Sequence, residues 1–124
     1  MKQADTWLKF CLLKHDCNRR LRGNRGAFNP TRLIDVGERN TSTGTPWPEP
    51  RLHVSGESTT RLYYLTLSHC WGAPPHPCQL TTANINNLQR RIKYDALPAT
   101  FQDVIKLARR FSMRYIWIDA LCIV

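Results

Sequence analysis

The chain has 124 residues, a hydrophobic content of 42% and a formal net charge of +9 at pH 7. This length fits one small domain with a modest core, and the apolar and aromatic content excludes a wholly disordered chain. No apolar run approaches the roughly 18 residues needed to span a bilayer. The N-terminal "MKQADTWLKFCLLKHDC" has no continuous apolar core or cleavage site of a secretory signal. We therefore expect a cytoplasmic protein whose cysteines are free thiols.

The positive charge falls mainly in three clusters. A nucleic-acid interface would require basic residues interleaved with exposed aromatics, or a recognisable motif, and the basic stretch "CNRRLRGNRG" contains no aromatic residue. We interpret the clusters as solvated basic faces that aid solubility, and expect no nucleic-acid partner. The clusters are residues 1–32, which hold eight Lys or Arg against two Asp, then Arg90, Arg91 and Lys93, and finally Arg109, Arg110 and Arg114.

The N-terminal third predicts a helix followed by a loop. Apolar side chains at helical spacing predict a short helix over residues 4–14. The next stretch, residues 18–31, carries Gly, Asn and Pro and predicts a loop. The helix residues expected on one face are Trp7, Leu8, Cys11 and Leu12.

Three short strands are predicted next. The stretches 32–37 and 51–56 are strand candidates on either side of a Gly-, Ser-, Thr- and Pro-rich loop over 37–50. A third strand is predicted over 61–69. Its distance from the second predicts that these two form a hairpin turning at "SGEST".

A proline-rich segment and a short helix follow the third strand. In "APPHPCQLT", three prolines within four residues exclude regular structure. Ile85, Leu88 and Ile92 then lie at helical spacing, with Thr81 or Thr82 available as the N-cap.

The clearest element is an amphipathic helix in "LPATFQDVIKLARRF". Thr100 and Asp103 have the spacing of a capping box, and Pro98 suits a helix start. Charged and polar side chains face away from the apolar stripe. That stripe consists of Leu97, Phe101, Val104, Ile105, Ala108 and Phe111.

A last strand, Tyr115 to Ile118, leads to Asp119. A strand, a crossover with a helix and a second strand form a βαβ unit with parallel strands. We therefore predict an α/β fold: a partial mixed sheet with a βαβ unit, an N-terminal helix and short antiparallel strands. The predicted division is residues 1–31 (helix and basic loop), 32–60 (strands and polar loop) and 61–124 (the main domain).

Polar side chains end both parallel strands, at the edge where α/β sheets bind ligands. Ser68 and Cys70 would share one face and His69 the other, because side chains alternate along a strand. His69 and Asp119 are the candidate catalytic pair, an imidazole oriented by a carboxylate. Cys70 offers a thiol, but adjacent strand residues do not meet, so a Cys–His hydrolase would require His76 to fold back.

Two groups of cysteine and histidine residues are candidate metal ligands. Neither has the paired C-x₂-C spacing of a zinc site, and we expect no metal. Binding by the first group stays open, since three or four such ligands can close a structural site. The groups are Cys11, His15 and Cys17, and His69, Cys70, His76 and Cys78.

These motifs, in this order, resemble the fungal heterokaryon incompatibility (HET) domain. Three blocks carry the resemblance: "YLTLSHCWG" (64–72), "LTTANINNL" (80–88) and "LPATFQDVIKLARRFSMRYIWIDALCIV" (97–124). Upstream, "W-L-x-x-C…H-x-C" and "PTRLIDVG" are also similar to sequence found ahead of this domain. In the family, the last block is normally followed by an acidic segment and further domain, so the resemblance implies the N-terminal portion of a HET domain.

The resemblance implies an effector of fungal non-self recognition and programmed cell death, acting through protein partners or self-association. HET domains are also distantly similar to TIR domains, which have a flavodoxin-like sheet and some of which cleave NAD. This implies an alternative: a TIR-like NAD- or nucleotide-cleaving hydrolase with its site at the strand ends. No cofactor is expected, and NAD would then be a substrate.

Overall fold

The computed structural model describes residues 2–15, 28–56, 60–76 and 78–124. These residues contain four helices and four strands. Most of the predicted loop over 18–31 lies outside these residues. A single 3₁₀ turn, Tyr94–Ala96, precedes the third helix. In chain order the elements are α1 (Lys2–Lys14), β1 (Arg32–Asp35), β2 (Arg51–Val54), β3 (Tyr64–Leu67), α2 (Ile85–Arg90), α3 (Ala99–Arg110), β4 (Tyr115–Ile118) and α4 (Asp119–Cys122).

The strands form one mixed sheet in the order β2-β1-β4-β3. β1 is antiparallel to both of its neighbours, and β3 is parallel to β4, with Leu65 opposite Ile116. The α/β class and the βαβ unit β3–α3–β4 are therefore confirmed. The division into three sequence segments stays a prediction, although strands from 32–60 and from 61–124 share this sheet.

The predicted hairpin between the second and third strands is wrong. β2 pairs with β1 instead, with Leu33 opposite His53, and β3 lies at the other edge of the sheet. The reason is burial: Leu33 and Ile34, which face opposite sides of the sheet, are both almost fully buried. The backbone N–H and C=O groups of β1 are therefore shielded from water and need a hydrogen-bonded strand on each side. The polar loop after β1 returns the chain as β2, and β4 occupies the other side.

The core lies between the sheet and α3. The predicted apolar stripe is confirmed, since Leu97, Phe101, Val104, Ile105 and Ala108 are buried and Phe111 is partly buried. From the sheet, the most deeply buried partners are Ile34, Ile116 and Ile118.

The predicted capping box of α3 is not formed. Pro98 is the N-cap, and its carbonyl accepts the backbone N–H groups of Phe101 and Gln102. No side chain caps this end. The fixed φ of proline sets the N-cap two residues ahead of Thr100, which places Thr100 inside the first turn rather than at the cap. Pro98 therefore starts the helix, as predicted.

The N-terminal helix α1 lies at the surface of the protein. α1 forms where a helix was predicted but buries no residue; Trp7 is 64% exposed and Leu13 82% exposed.

Before α2, Thr81 Oγ1 accepts the N–H of Asn84 at 3.3 Å, and Asn84 Oδ1 accepts the N–H of Thr81 at 2.8 Å. The predicted Thr81 cap thus closes the turn that leads into α2, while Asn84 is the N-cap of the helix itself. No helix in the described ranges is both long and apolar enough to cross a membrane.

Candidate functional site

His69 lies just beyond the end of β3, on the inward face. The alternation predicted for this strand is confirmed and continues past it: Leu67 and His69 point inward, and Ser68 and Cys70 are exposed. The His69 side chain is 14% exposed, and its ring meets that of Phe101 edge-on, with centroids 5.0 Å apart. The His69 side chain therefore packs against the apolar stripe of α3.

Asp119 directly follows β4 and is the first residue of α4. One carboxylate oxygen, Oδ1, accepts the N–H of Ala120 at 2.7 Å, and the other, Oδ2, accepts the indole N–H of Trp71 at 2.8 Å. The carboxylate thus serves both the short helix after β4 and the loop after β3. Both oxygens already have protein donors.

The predicted pair, His69 and Asp119, is brought together at the strand ends. Nδ1 of His69 lies 3.7 Å from Oδ1 of Asp119, which is longer than a hydrogen bond. The same Nδ1 atom is buried without a hydrogen-bond partner. The two side chains are therefore close, but the carboxylate does not orient the imidazole through a hydrogen bond. A catalytic role for the pair stays a prediction.

A small cleft of about 70 Å³ opens beside this pair. Trp71 and His76 form one wall, their rings edge-on with centroids 5.1 Å apart. Cys78 contributes the thiol of this cleft, and burial raises its pKa, which disfavours the nucleophilic thiolate. Cys70, the thiol considered from sequence, is exposed and is not part of the wall. The lining residues are His69, Trp71, His76, Cys78, Pro98, Phe101 and Ala120.

The structure describes all of one candidate metal-binding group but only part of the other. Among the described residues, no three His, Cys, Asp or Glu side chains are grouped as a metal ion would require, and this includes the group around His69 and Cys78. Cys17 lies outside the described residues, so binding by Cys11, His15 and Cys17 stays open.

A buried carboxylate that the sequence did not single out lies at the other end of the sheet. Asp35 in β1 is 2% exposed and accepts hydrogen bonds from Arg51, Arg114 and the Gly37 amide. Burial alone would raise its pKa, but these hydrogen bonds and the Arg114 charge outweigh burial and lower it. Arg114 in turn has a raised pKa, chiefly because of its hydrogen bond to Asp35. Aspartate within a predicted strand was the signal available in the sequence.

The third basic cluster is only partly a solvated face. Arg109 donates to the carbonyls of Val36 and Pro48, with distances of 2.7–3.1 Å, and its guanidinium lies 4.8 Å from the ring centroid of Trp47. With Arg114 bound to Asp35, two of the three arginines tie the polar loop to the sheet and α3. Their interpretation as solvated charges is therefore wrong. Arg110 is exposed, as expected.

About half of the chain matches a known protein family. Residues 64–124, from the start of β3 to the last residue, match the family model described as "Heterokaryon incompatibility protein (HET)". The match includes His69, Trp71 and Asp119 but not the similar upstream stretches. No curated protein and no solved structure matched the chain.

Proposed function

Residues 64–124 belong to the heterokaryon incompatibility (HET) family, and from this premise we propose that the chain is an effector of fungal non-self recognition. In this proposal it promotes programmed cell death by associating with a second copy of itself. The observation that carries the mechanism is an apolar groove at one edge of the sheet.

The groove lies between β3 and α3 and has a volume of about 470 Å³. Leu67, Val104 and Leu107 give it apolar walls. No described strand pairs with the outer edge of β3, so its backbone N–H and C=O groups are available for another strand. Tyr63, just before β3, is 69% exposed. An edge strand beside an apolar groove supports the addition of a strand from a second molecule.

The charges at the rim of the groove favour a second copy as the occupant. Asp103 and Lys106 both lie there, and their charged groups are 3.5 Å apart. A twofold interface must be self-complementary, and one acidic and one basic residue on the same rim meet this requirement. In such a pair, Asp103 of one copy faces Lys106 of the other.

Sedimentation of the purified chain, combined with inducible expression in a filamentous fungus, tests this proposal. We expect a dimer or larger species and loss of viability on induction. Leu107→Arg, which places a charge in the groove, should abolish both. Arg110→Ala, on an exposed position of the same helix, is the control and should retain both. A monomeric protein that still kills cells would overturn self-association, and unimpaired growth despite assembly would overturn the effector role.

The alternative is a TIR-like NAD- or nucleotide-cleaving hydrolase with His69 and Asp119 at its site. The buried, unpartnered Nδ1 of His69 close to a carboxylate favours it. The cleft of about 70 Å³ counts against it, because small-molecule sites usually measure roughly 300–1,000 Å³. Release of nicotinamide from NAD by the wild-type chain, lost in His69→Gln and Asp119→Asn, would support hydrolysis. Its absence in a protein that kills cells would exclude it.

A further inference from the structure

A second, larger cleft lies at the opposite end of the sheet from His69 and Asp119. It measures about 510 Å³, within the range of small-molecule sites. Because β1 runs antiparallel to β4, the residues after β1 and those before β4 meet at this end. The cleft therefore shares no wall with the His69 cleft. Its lining residues are Gly37, Glu38, Arg39, Thr41, Trp47, Arg109, Ser112, Met113 and Arg114.

The cleft is lined by three arginines and one acidic residue, Glu38. Arg114 is compensated, since it binds both Asp35 and Glu38. Arg39 is exposed and makes no hydrogen bond or ion pair with the residues that the structure describes. This arginine leaves an uncompensated positive charge at the cleft.

Arg109 adds a second, partly compensated positive charge. Its hydrogen bonds go to the neutral carbonyls of Val36 and Pro48. The Glu49 carboxylate, which accepts the Tyr94 N–H at 2.7 Å, acts on Arg109 only through space. Partial burial lowers the pKa of Arg109, which reflects the cost of holding this charge away from water. Its Nη1 makes no hydrogen bond to a described residue, so it retains N–H donors for an anion.

The walls are fixed by the fold rather than by the ligand. Gly37 has a φ of +77° and lies so close to Pro48 that a Cβ there would collide with its ring. The guanidinium of Arg109 lies over the rings of Trp47 and Tyr94, 4.8 and 5.8 Å from their centroids. The cleft is thus preformed, and Thr41 and Ser112 also line it. A preformed site loses less conformational entropy on binding.

We propose that this cleft binds a phosphate-bearing small molecule of nucleotide size, whose phosphate groups are held by Arg39 and Arg109. Arginine pairs well with phosphate oxygens through charge-assisted, bidentate hydrogen bonds. The volume exceeds what a single phosphate ion fills. The site is separate from the association groove on β3 and from the His69–Asp119 pair.

Isothermal titration of the whole chain with ADP, pyrophosphate and adenosine tests this site. We expect saturable 1:1 binding of ADP that weakens with added salt, and no binding of adenosine. Pyrophosphate binding as tight as ADP would place recognition in the phosphates alone, whereas tighter ADP binding would add a contact to the organic part; both outcomes support the proposal. Binding of adenosine as tight as ADP would overturn it.

Two variants and a matched control distinguish this cleft from general charge attraction. Arg39→Ala should weaken ADP binding at least tenfold, and Thr41→Glu should abolish it by placing a negative charge at the cleft. Arg110→Ala removes the same charge next to Arg109 but outside the cleft, and should bind as the wild type does. An equal loss in Arg39→Ala and Arg110→Ala, or the absence of saturable binding by the wild type, would overturn the proposal. Circular dichroism of each variant verifies that it is folded.

Discussion

The indole N–H of Trp71 donates to Oδ2 of Asp119 at 2.8 Å, joining residues that are 48 positions apart. Trp71 lies in "SHCWG" after β3, and Asp119 directly follows β4 in "WIDALC". The two motifs that carry the family resemblance are thus tied to each other at the carboxyl ends of two parallel strands. This contact gives "SHCWG" a structural role.

This contact predicts an energetic coupling between Trp71 and Asp119. Trp71→Phe keeps an aromatic ring but removes the donor, and should lower the free energy of unfolding by about 1 kcal/mol, because a hydrogen bond to a charged acceptor is lost at a partly exposed site. Asp119→Ala should cost more, since it also removes the bond to Ala120. In urea denaturation the double variant should lose about 1 kcal/mol less than the sum of the single losses. Strict additivity would contradict the contact.

The Asp35 network predicts a pH-dependent stability. The folded-state pKa of Asp35 lies below its ordinary value of 3.8, so its contribution is fully present above that value and is lost as the pH falls through the folded-state pKa. Asp35→Asn should lose about 2–3 kcal/mol at pH 7, less than for a fully buried pair because Arg51 and Arg114 keep contact with water.

Urea titrations between pH 7 and pH 2 verify the sign of this effect. The difference in the free energy of unfolding between wild type and Asp35→Asn should stay constant down to about pH 4 and then shrink. A difference that grows as the pH falls would show that the carboxylate is destabilising in the folded state.

Gly37 and Gly44 provide a matched test of the polar loop after β1. Both have positive φ, +77° and +62°, so alanine should cost each about 1 kcal/mol or more through backbone strain. An added Cβ at Gly37 also collides with Cγ of Pro48, whereas the space around Gly44 is open. Gly37→Ala should therefore have a clearly lower melting temperature than Gly44→Ala. Equal values would mean that the loop moves away from Pro48 at little cost.

The thiols should react in the order of their exposure. Cys70 is exposed, whereas Cys122 is buried and its pKa is raised to about 11, chiefly by burial. At pH 8, iodoacetamide should modify Cys122 much more slowly than Cys70, because burial shields the Cys122 sulfur and its raised pKa leaves little of the reactive thiolate. Mass spectrometry of the modified peptides measures both rates. Comparable rates in the native protein, becoming no faster in urea, would contradict burial of Cys122.

Local pattern was enough to predict α3, the four strands and the position of His69 on the face opposite to Ser68 and Cys70. Each of these depends on a period that is visible in the sequence: the apolar stripe from Leu97 to Ala108, and the alternation from Leu65 to His69. The meeting of His69 and Asp119 also followed, because parallel strands of a βαβ unit end at the same edge.

The tertiary structure alone decided which strands pair and which charges are compensated. Both depend on contacts between distant residues: β2 joins β1 rather than β3, and Arg114 binds Asp35 across 79 positions. The same holds for the 3.7 Å gap between His69 and Asp119 and for the cleft beside Arg39 and Arg109. Sequence period determines which way a side chain faces, but only packing of the whole chain determines what it meets there.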